Sequence, residues 1–530
     1  MTDINTHIRA DDFLALDVLS RELGEDIVDA SLQTRTYYAN DVFWQPGIVP
    51  LAVVSPRTAQ EAAHAVALAT GEGLSVVPRG GGMSYTKGYL PDRTDAIIMD
   101  MRQLNRVTEV NAPDRFVTAE AGVTWADLNA ALKGTGLRTG YWGPLSGLNA
   151  TIGGALSQNS AFFGSAQNGT VADWVMGVSV VLANGQLVTT GSGGRQATRP
   201  FTRYGGPDMT GMFLGDNGAM GIKTGATLSL IPQPPEQGFL SFGFNTLAAM
   251  ADAQVQMART GLVAEGFGID RNKARHSASV NRISENLTAL EHVAGQGKSF
   301  LGGLKDAAAV AVSGLDFINR HAYTLHIVTE AFSPAERDAR LAALSKIGAQ
   351  NGTALPDSVP RVMRARPFGP VRGMLGADGE RWVPIHAVFP LSMAQDVVEA
   401  NDAFFADRAE EMAGAGITYS VMTMTVGAEF FIEPAFYWQD ELTPLHVASV
   451  GKAVQSDWSR RSANETARRA VIELRNATQD LYIGLGGVNW QVARDYPFQS
   501  VLKPETAALL RTFKAAVDPA GLMNPGALGL

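Results

Sequence analysis

Cysteine is absent from all 530 positions of the chain. Its absence excludes disulfides, thiolate nucleophiles, iron–sulfur ligation and any cofactor tethered through sulfur, and it fits a reducing compartment. Histidine is sparse, at eight residues. Charge is modest too: 18% of residues are charged and the net charge is −9, which argues against a general nucleic-acid surface. No apolar run reaches membrane-spanning length. The segment Met1 to Leu19 lacks a basic stretch followed by an apolar one, so no signal peptide is expected. A cytoplasmic protein is expected, with peripheral membrane association left open. Low-complexity tracts and short internal repeats are also missing.

What is plentiful is glycine, at 56 residues. The stretch Val76-Val-Pro-Arg-Gly-Gly-Gly-Met-Ser-Tyr-Thr-Lys-Gly88 sets three consecutive glycines after an apolar strand. Such a run can turn its main-chain N–H groups toward one anion with no side chains in the way. Gly80, Gly81 and Gly82 thus stand where a diphosphate could be held. A second loop, Ala150-Thr-Ile-Gly-Gly-Ala-Leu-Ser-Gln-Asn159, lies in the same half of the chain. The pair looks like one ligand gripped from two sides.

At 530 residues the chain is too long for one compact core, so two or more domains are expected. Strands are expected at Pro50–Val54, Leu74–Pro78, Asp95–Asp100 and Arg115–Ala121. Thr58 and Glu61 fit a capping box opening an Ala-rich helix, and Thr124 caps another through Leu132. Val175–Leu182 and Gln186–Thr190 flank Asn184-Gly185, a type I′ hairpin signal. This β-rich part runs to about Pro232. Beyond it come a strand at Phe239–Phe244, a helix with Met250, Met257 and Leu262 in register, and a strand at Tyr323–Thr329. A capped helix follows Ser333. Then come one strand across Trp382–Phe389 and paired strands at Thr418–Val426 and Phe430–Trp438. The grain suggests an antiparallel sheet with helices on one face.

Four segments in this order resemble the vanillyl-alcohol oxidase / para-cresol methylhydroxylase fold, and more closely its D-lactate dehydrogenase and glycolate oxidase branch. They are Pro78-Arg-Gly-Gly-Gly-Met-Ser-Tyr85, Ala150-Thr-Ile-Gly-Gly154, Gly215-Asp-Asn-Gly-Ala-Met-Gly-Ile222 and Val517-Asp-Pro-Ala-Gly-Leu-Met-Asn-Pro-Gly526. The resemblance implies an α+β protein. A two-part FAD-binding domain would cover residues 1–232, a ferredoxin-like cap 233–480, and a tail returning to the FAD domain 481–530. By the same resemblance, Pro78, Arg79, Gly80, Gly81, Gly82, Met83, Ser84 and Tyr85, with Thr151, Ile152, Gly153, Gly154 and Ser157, cradle FAD. Gly221 and Ile222 would offer main-chain groups to its adenine side or flavin edge, unless the Ile222 strand only packs. Arg79 either pairs with a phosphate or braces the loop from outside. Asn524 either reaches the flavin region or caps the last turn.

Two departures stand out. Relatives that bond FAD through the first loop carry His where this chain has Met83, so FAD is expected to be non-covalent, with His386 and His446 as the alternatives for a link. Metal-dependent relatives carry a His-x-Gly-Asp-Gly-Asn-x-His strand and a later Glu-His-Gly. This chain has Arg381-Trp-Val-Pro-Ile-His-Ala-Val-Phe-Pro390 and Gly487-Val-Asn-Trp-Gln491 instead, so no metal is expected.

Candidates for the chemistry follow. His386 lies on an apolar cap strand and could take a substrate proton, or be a core histidine. Arg366 belongs to a cluster with Arg361, Arg364 and Arg372 that could clamp a carboxylate, or be a solvated face. Glu433 is a lone carboxylate on the next strand. Asn489, Trp490 and Arg494 lie where relatives place active-site groups. Tyr419, Phe430, Phe436, Tyr437 and Trp438 either line a pocket or pack the core. His321 and His326 receive no role.

The leading expectation is an FAD-dependent oxidoreductase that removes a hydride from a CH–OH donor, foremost a 2-hydroxy acid such as D-lactate or glycolate. The runner-up is oxidation of a phenolic or aryl alcohol, for which Tyr37 and Tyr38 are candidates by type. The third is a flavin-carrying electron-transfer subunit. Partners are a small-molecule substrate and an electron acceptor of unknown kind; the sequence leaves a homo-oligomer open.

Overall fold

The computed structural model describes residues 10–44, 48–280, 320–369, 375–376, 378–449, 458 and 460–530. Arg372 of the arginine cluster lies outside them.

Three sheets carry the fold. The first joins β1 (Val28–Asp29), β2 (Ala52–Val54), β3 (Ser75–Arg79) and β4 (Ala96–Asp100) in the order β1-β2-β4-β3, with β2, β4 and β3 parallel. Parallel strands need crossovers, and helix Ala59–Gly71 supplies the one between β2 and β3. Thr58 caps it by accepting the Glu61 N–H at 3.1 Å. Its face of Ala62, Ala65, Val66 and Ala69 packs on Val54, Val76, Ile97 and Met99. Small residues there let helix and sheet approach closely.

The second sheet contains β5 (Val107–Asn111), β6 (Phe116–Glu120), β7 (Leu137–Thr139), β8 (Val175–Val181), β9 (Leu187–Thr189) and the long β10 (Ile222–Pro232), in the order β5-β6-β10-β8-β9 with β7 also on β10. The β8–β9 connection corrects the expected turn. Among its residues Gly185 is left-handed, with φ 78°, and Asn184 is not. Gly185 N–H donates to Leu182 O at 2.9 Å, so this is a type I turn closed by a left-handed glycine rather than type I′.

The third sheet is antiparallel throughout: β11 (Glu236–Phe244), β12 (Glu265–Asp270), β13 (Tyr323–Ala331), β14 (Thr353–Leu355), β15 (Arg381–Pro384), β16 (Ala387–Pro390), β17 (Thr418–Val426) and β18 (Glu429–Trp438). Its order is β14-β11-β13-β12-β17-β18-β15, with β16 also on β18. Helices Leu247–Ala258 and Ala394–Asp407 cover one face, packing on Phe242, Phe244, Ile327, Val421 and Ile432. Side chains alternate along a strand, so Phe431 and Glu433 point the other way. Phe431 meets Phe267, Met424 and Val388 there, with Phe162 and Trp490 packed against them. That second face therefore looks toward the part of the molecule that carries the glycine loops.

Three expectations change in this region. The single strand at Trp382–Phe389 is two strands, interrupted at Ile385 and His386. The helix expected to include Leu262 ends at Ala258. The boundary drawn at residue 480 falls inside the continuous helix Glu465–Gly484.

The C-terminal segment returns to the first sheet. Helix Pro504–Val517 ends beside Asp518, and Met523 forms a parallel bridge with Val76. Lys514 Nζ is the knot: it donates to Ala219 O at 2.6 Å, Asp518 Oδ2 at 2.6 Å and Met523 O at 2.8 Å. Among the described residues no helix is long and apolar enough to cross a membrane.

Candidate active site

β3 delivers the chain into the first glycine loop, and the loop's main chain is notable for what it does not bond. Among the described residues, no acceptor takes the N–H of Gly80, Gly81, Gly82, Met83, Ser84 or Tyr85. Unpaired main-chain donors are costly unless something fills them, and six in succession are a ready nest for an anion. The glycines are enforced by the second loop. A Cβ on Gly81 would stand 1.8 Å from Asn149 O, and one on Gly80 would stand 2.3 Å from Thr151 Oγ1.

The two loops face one cavity. Pro78, Arg79, Gly80, Gly81, Gly82, Met83, Ser84 and Tyr85 line one side. Thr151, Gly153, Gly154 and Ser157 line another, and Gly221 and Ile222 a third. The cavity's glycine walls and its free amides fit a dinucleotide with a negative bridge.

The two loops do not offer the same chemistry. In the second, Ile152 N–H donates to Val123 O and Gly153 N–H to Ala121 O, both at 2.8 Å. Gly154 N–H donates to Thr151 Oγ1 at 3.3 Å. These amides begin the helix Ile152–Gln158 and are already paired. The second loop therefore supplies shape, and the first supplies donors. Ile152 is fully buried in the core and does not line the cavity.

Arg79 braces the first loop. Its guanidinium lies over the rings of Tyr38 at 4.4 Å, Tyr89 at 5.1 Å and Tyr37 at 5.6 Å. Tyr38 is itself engaged, donating to Asp100 Oδ2 at 2.5 Å. Asn524 sits behind the wall: its Nδ2 donates to Gly88 O at 3.0 Å and Asn217 O at 2.6 Å. Arg494 joins tail to loop, donating to Pro525 O at 2.8 Å, Lys87 O at 2.7 Å and the Asn524 side chain. Its donors are committed to the protein itself, so the expectation of an Arg494 that reaches substrate gives way to one that holds the tail.

The segment Asn40–Trp44 connects this loop to the cap. The buried Asp41 carboxylate accepts N–H bonds from Phe43 at 2.8 Å, Trp44 at 2.5 Å and Lys87 at 2.9 Å. Val42 N–H donates to Ser84 O at 3.2 Å. From the cap, Arg381 donates to Phe43 O at 2.5 Å, and His446 Nε2 pairs with Val42 O at 3.0 Å. His446 Nδ1 pairs with Thr443 Oγ1 at 2.8 Å, so both ring nitrogens are occupied. A second seam between cap and first domain is ionic. Arg138 and Arg364 both bind Glu330, and Arg364 Nε also meets Glu265 Oε2 at 2.9 Å, all four side chains buried. Arg364 thus clamps carboxylates, but they are the protein's own. Arg366 caps the same helix, Ser358–Ala365, and does not line the cavity.

His386 is fully buried and does not line the cavity either. Its ring stacks on Phe431 with centroids 5.1 Å apart, and Nδ1 meets the Tyr496 hydroxyl at 3.2 Å. Burial pushes its pKa down to about 3, so it is a neutral core imidazole and not the expected base. Asn489 Nδ2 donates to His386 O at 2.6 Å, and Trp490 packs on Phe431. Both shape the cap face.

Glu433 is different. It is buried on that same face, and burial pushes its pKa up to about 7 although Lys273 and a hydrogen bond from Tyr85 pull the other way. Tyr85 lines the cavity and Glu433 does not, so Glu433 lies behind the wall, beside the Tyr85 phenol. Lys273 lies near it, with its ammonium 5.3 Å from the Trp382 ring. Trp382 in turn meets Tyr85 edge-on at 5.6 Å. Among the described residues no group of three or more His, Asp or Glu side chains converges as a metal site.

Lys273 was not legible as a site residue. It follows β12, whose Gly266 and Gly268 make the segment read as a loop. Gly268 makes room for its neighbours: a Cβ there would meet Met250 Cε at 2.4 Å and Thr423 Oγ1 at 2.5 Å, and those side chains would have to shift. The usable signal was Asp270 three residues before Lys273, opening a helix: Lys273 N–H donates to Asp270 Oδ1 at 2.7 Å.

Comparison with known proteins agrees with this geometry. A family model described as FAD binding domain matches residues 50–191, and one described as FAD linked oxidases, C-terminal domain, matches residues 498–528. The chain is 29% identical over 230 residues to the glycolate oxidase subunit GlcD of Bacillus subtilis, covering 43% of this chain and 47% of that protein. It is 23% identical over 485 residues to a D-lactate dehydrogenase of Archaeoglobus fulgidus, covering 89% and 90%. Several such matches, the Bacillus protein among them, span less than half of the relative's own length. The solved structure of p-cresol methylhydroxylase with substrate bound superposes with a TM-score of 0.73 at 17% identity, covering 99% of this chain and 98% of that one.

Proposed function

From the premise that the chain belongs to the FAD-linked oxidases and dehydrogenases, we propose that it oxidises a CH–OH donor, foremost a 2-hydroxy acid such as D-lactate or glycolate. Bound FAD supplies the hydride acceptor. The N–H groups of Gly80 to Tyr85 hold its diphosphate, while Thr151, Gly153, Gly154 and Ser157 give the opposite wall its shape. Glu433 takes the proton from the donor hydroxyl, with Tyr85 orienting the carboxylate at the cavity wall. A base works best when its pKa lies near the working pH, and Glu433 at about 7 meets that condition. The donor-rich glycine loop on the cavity, with a buried carboxyl beside the Tyr85 that lines it, supports the reading.

FAD is held without a covalent bond. Met83 occupies the loop position that would carry a link, no histidine among the described residues lines the cavity, and both nitrogens of His446 are engaged. Acid precipitation checks this: the flavin should leave in the supernatant, and a yellow pellet would refute it. The cytoplasm suits a chain without cysteine.

Tyr85 also favours a second reading. It shares the Glu433 neighbourhood with Tyr437 and Tyr496. Phenols grouped behind one wall of a cavity suit a phenolic alcohol. Tyr38, a candidate by type, is committed to Asp100. Anaerobic mixing separates the readings: D-lactate or glycolate should bleach the flavin and vanillyl alcohol should not. Bleaching by the aryl alcohol alone would overturn the first reading. Bleaching by neither would favour an electron-transfer subunit.

A further inference from the structure

We propose that Gln158 and Gln491 form a neutral carboxamide clamp for the imide edge of the isoalloxazine, Gln158 accepting from N3–H and Gln491 donating to a flanking carbonyl. The inference rests on FAD occupying the cavity and not on the identity of the donor it oxidises. Both residues line that cavity. Gln158 is the last residue of the helix Ile152–Gln158. Gln491 comes from the segment after helix Glu465–Gly484, and among the described residues it is the one lining residue from beyond Lys223. It marks the end of the cavity that meets the cap, beside Trp490 on Phe431; the flavin ring belongs at that end and the adenosine at the other. Gln491 N–H donates to Gln158 O at 3.1 Å, so the two residues are neighbours.

The orientation of the Gln158 amide is set by a chain of bonds that starts at the main chain. Gly88 O accepts from Asn217 Nδ2 at 2.9 Å, which turns Asn217 Oδ1 toward Gln158. That oxygen needs a donor, and Gln158 Nε2 supplies it. Gln158 Oε1 is left buried with no partner. A buried acceptor without a donor is costly, and an ionised phosphate cannot relieve it, since it only accepts. The isoalloxazine can: its pyrimidine edge sets one N–H between two carbonyls. Gln491 supplies the complement. Its side-chain amide bonds to no other group among the described residues, which leaves its N–H groups for one of those carbonyls. Its main chain is held in the left-handed region at φ 53°, a conformation that a non-glycine residue keeps only when its surroundings impose it. Charge plays no part at this edge. The two charged residues that line the cavity are already engaged, Arg79 over the tyrosine rings and Lys223 with Asp216 at 2.5 Å.

The test uses the full chain stripped of flavin and reloaded with FAD or 3-methyl-FAD, with uptake followed by quenching of flavin fluorescence. Methylation removes the N3 donor and leaves both carbonyls. Wild type should bind 3-methyl-FAD about tenfold more weakly than FAD, the effect of one lost hydrogen bond to a buried acceptor. Gln158→Met should lose about tenfold in FAD affinity, and the preference with it. Gln491→Met should weaken both flavins alike, about three- to tenfold, and keep the preference. A residue that merely props the fold would weaken both flavins at position 158 as well, so the lost preference separates the two roles. Should Gln158→Met take up no flavin, the wild-type comparison still decides. Equal affinity of wild type for the two flavins overturns the clamp and points to a ribityl hydroxyl as the donor to Gln158. A preference that survives in Gln158→Met, or a Gln491→Met that binds both flavins as tightly as wild type, overturns it too. Failure of the cofactor reading looks different: neither flavin would be taken up, and the clamp would fall with it. Failure of the proposed substrate would leave all of these affinities unchanged.

Discussion

Glu433 and Gly81 make opposite kinds of demand on the chain, one chemical and one steric. Replacing Glu433 by Gln keeps the shape and removes the base, so anaerobic flavin reduction should slow ~10²–10⁴-fold while FAD content stays the same. In the wild type, reduction should accelerate as pH rises through about 7, because the carboxylate is the working form. Stability moves the other way. The folded pKa lies above the ordinary 4.5, so Glu433 favours folding fully below about 4.5 and loses that contribution as pH climbs to about 7. A Tm series across that window should fall for wild type and fall less steeply for Glu433→Gln, since Asp41 and Asp270 are raised to about 7 as well. Gly81→Ala tests the steric demand. Its Cβ would collide with Asn149 O, which is main chain and cannot rotate aside. The purified variant should carry little FAD by absorbance, with added FAD taken up weakly. His386 shows why residue type alone misleads: neighbouring strands offered an imidazole and a carboxylate, and burial lowered the pKa of the first and raised that of the second.

Strands and helices place these groups, and ties between them should fail in characteristic ways. Ending the chain after Val517 removes the Met523 bridge to Val76, leaves Lys514 only its Ala219 acceptor and leaves Arg494 only its Lys87 acceptor. The shortened protein should emerge colourless, because β3 then loses the partner that holds the loop it feeds. Arg364→Met removes the shared partner of Glu265 and Glu330 and leaves buried carboxylates short of charge. Breaking a buried pair in this way costs about 3–5 kcal/mol, so thermal melting should shift down markedly with the flavin loops untouched. Sequence pattern found the elements whose composition matched their role, such as the capped helix after Thr58 and the paired β17 and β18. It missed β12, where glycines make room for Met250 and Thr423, and it ran β15 into β16. No local pattern marks that interruption, where Asn489 and Tyr496, more than a hundred residues onward, bond to His386.

The family architecture was legible because main-chain recognition of a dinucleotide writes itself as glycine in fixed places. Gly80 to Gly82 and Gly153–Gly154 are visible in any reading of the chain. The substrate end was not, because it is assembled from side chains of common type whose meaning lies in burial. Glu433 drew notice as a lone acid, Lys273 drew none, and Tyr85 was read as part of the cofactor loop alone. The segment Asn40–Trp44 carries a consequence of its own. Asp41 grips the Lys87 amide on one side, while Arg381 and His446 hold neighbouring carbonyls from the other. Dinucleotide occupancy and seating of the covering domain are thereby linked in both directions. Emptied protein should be nicked by a protease at this junction sooner than the yellow form, and a ligand that fastens the cover should slow escape of the flavin.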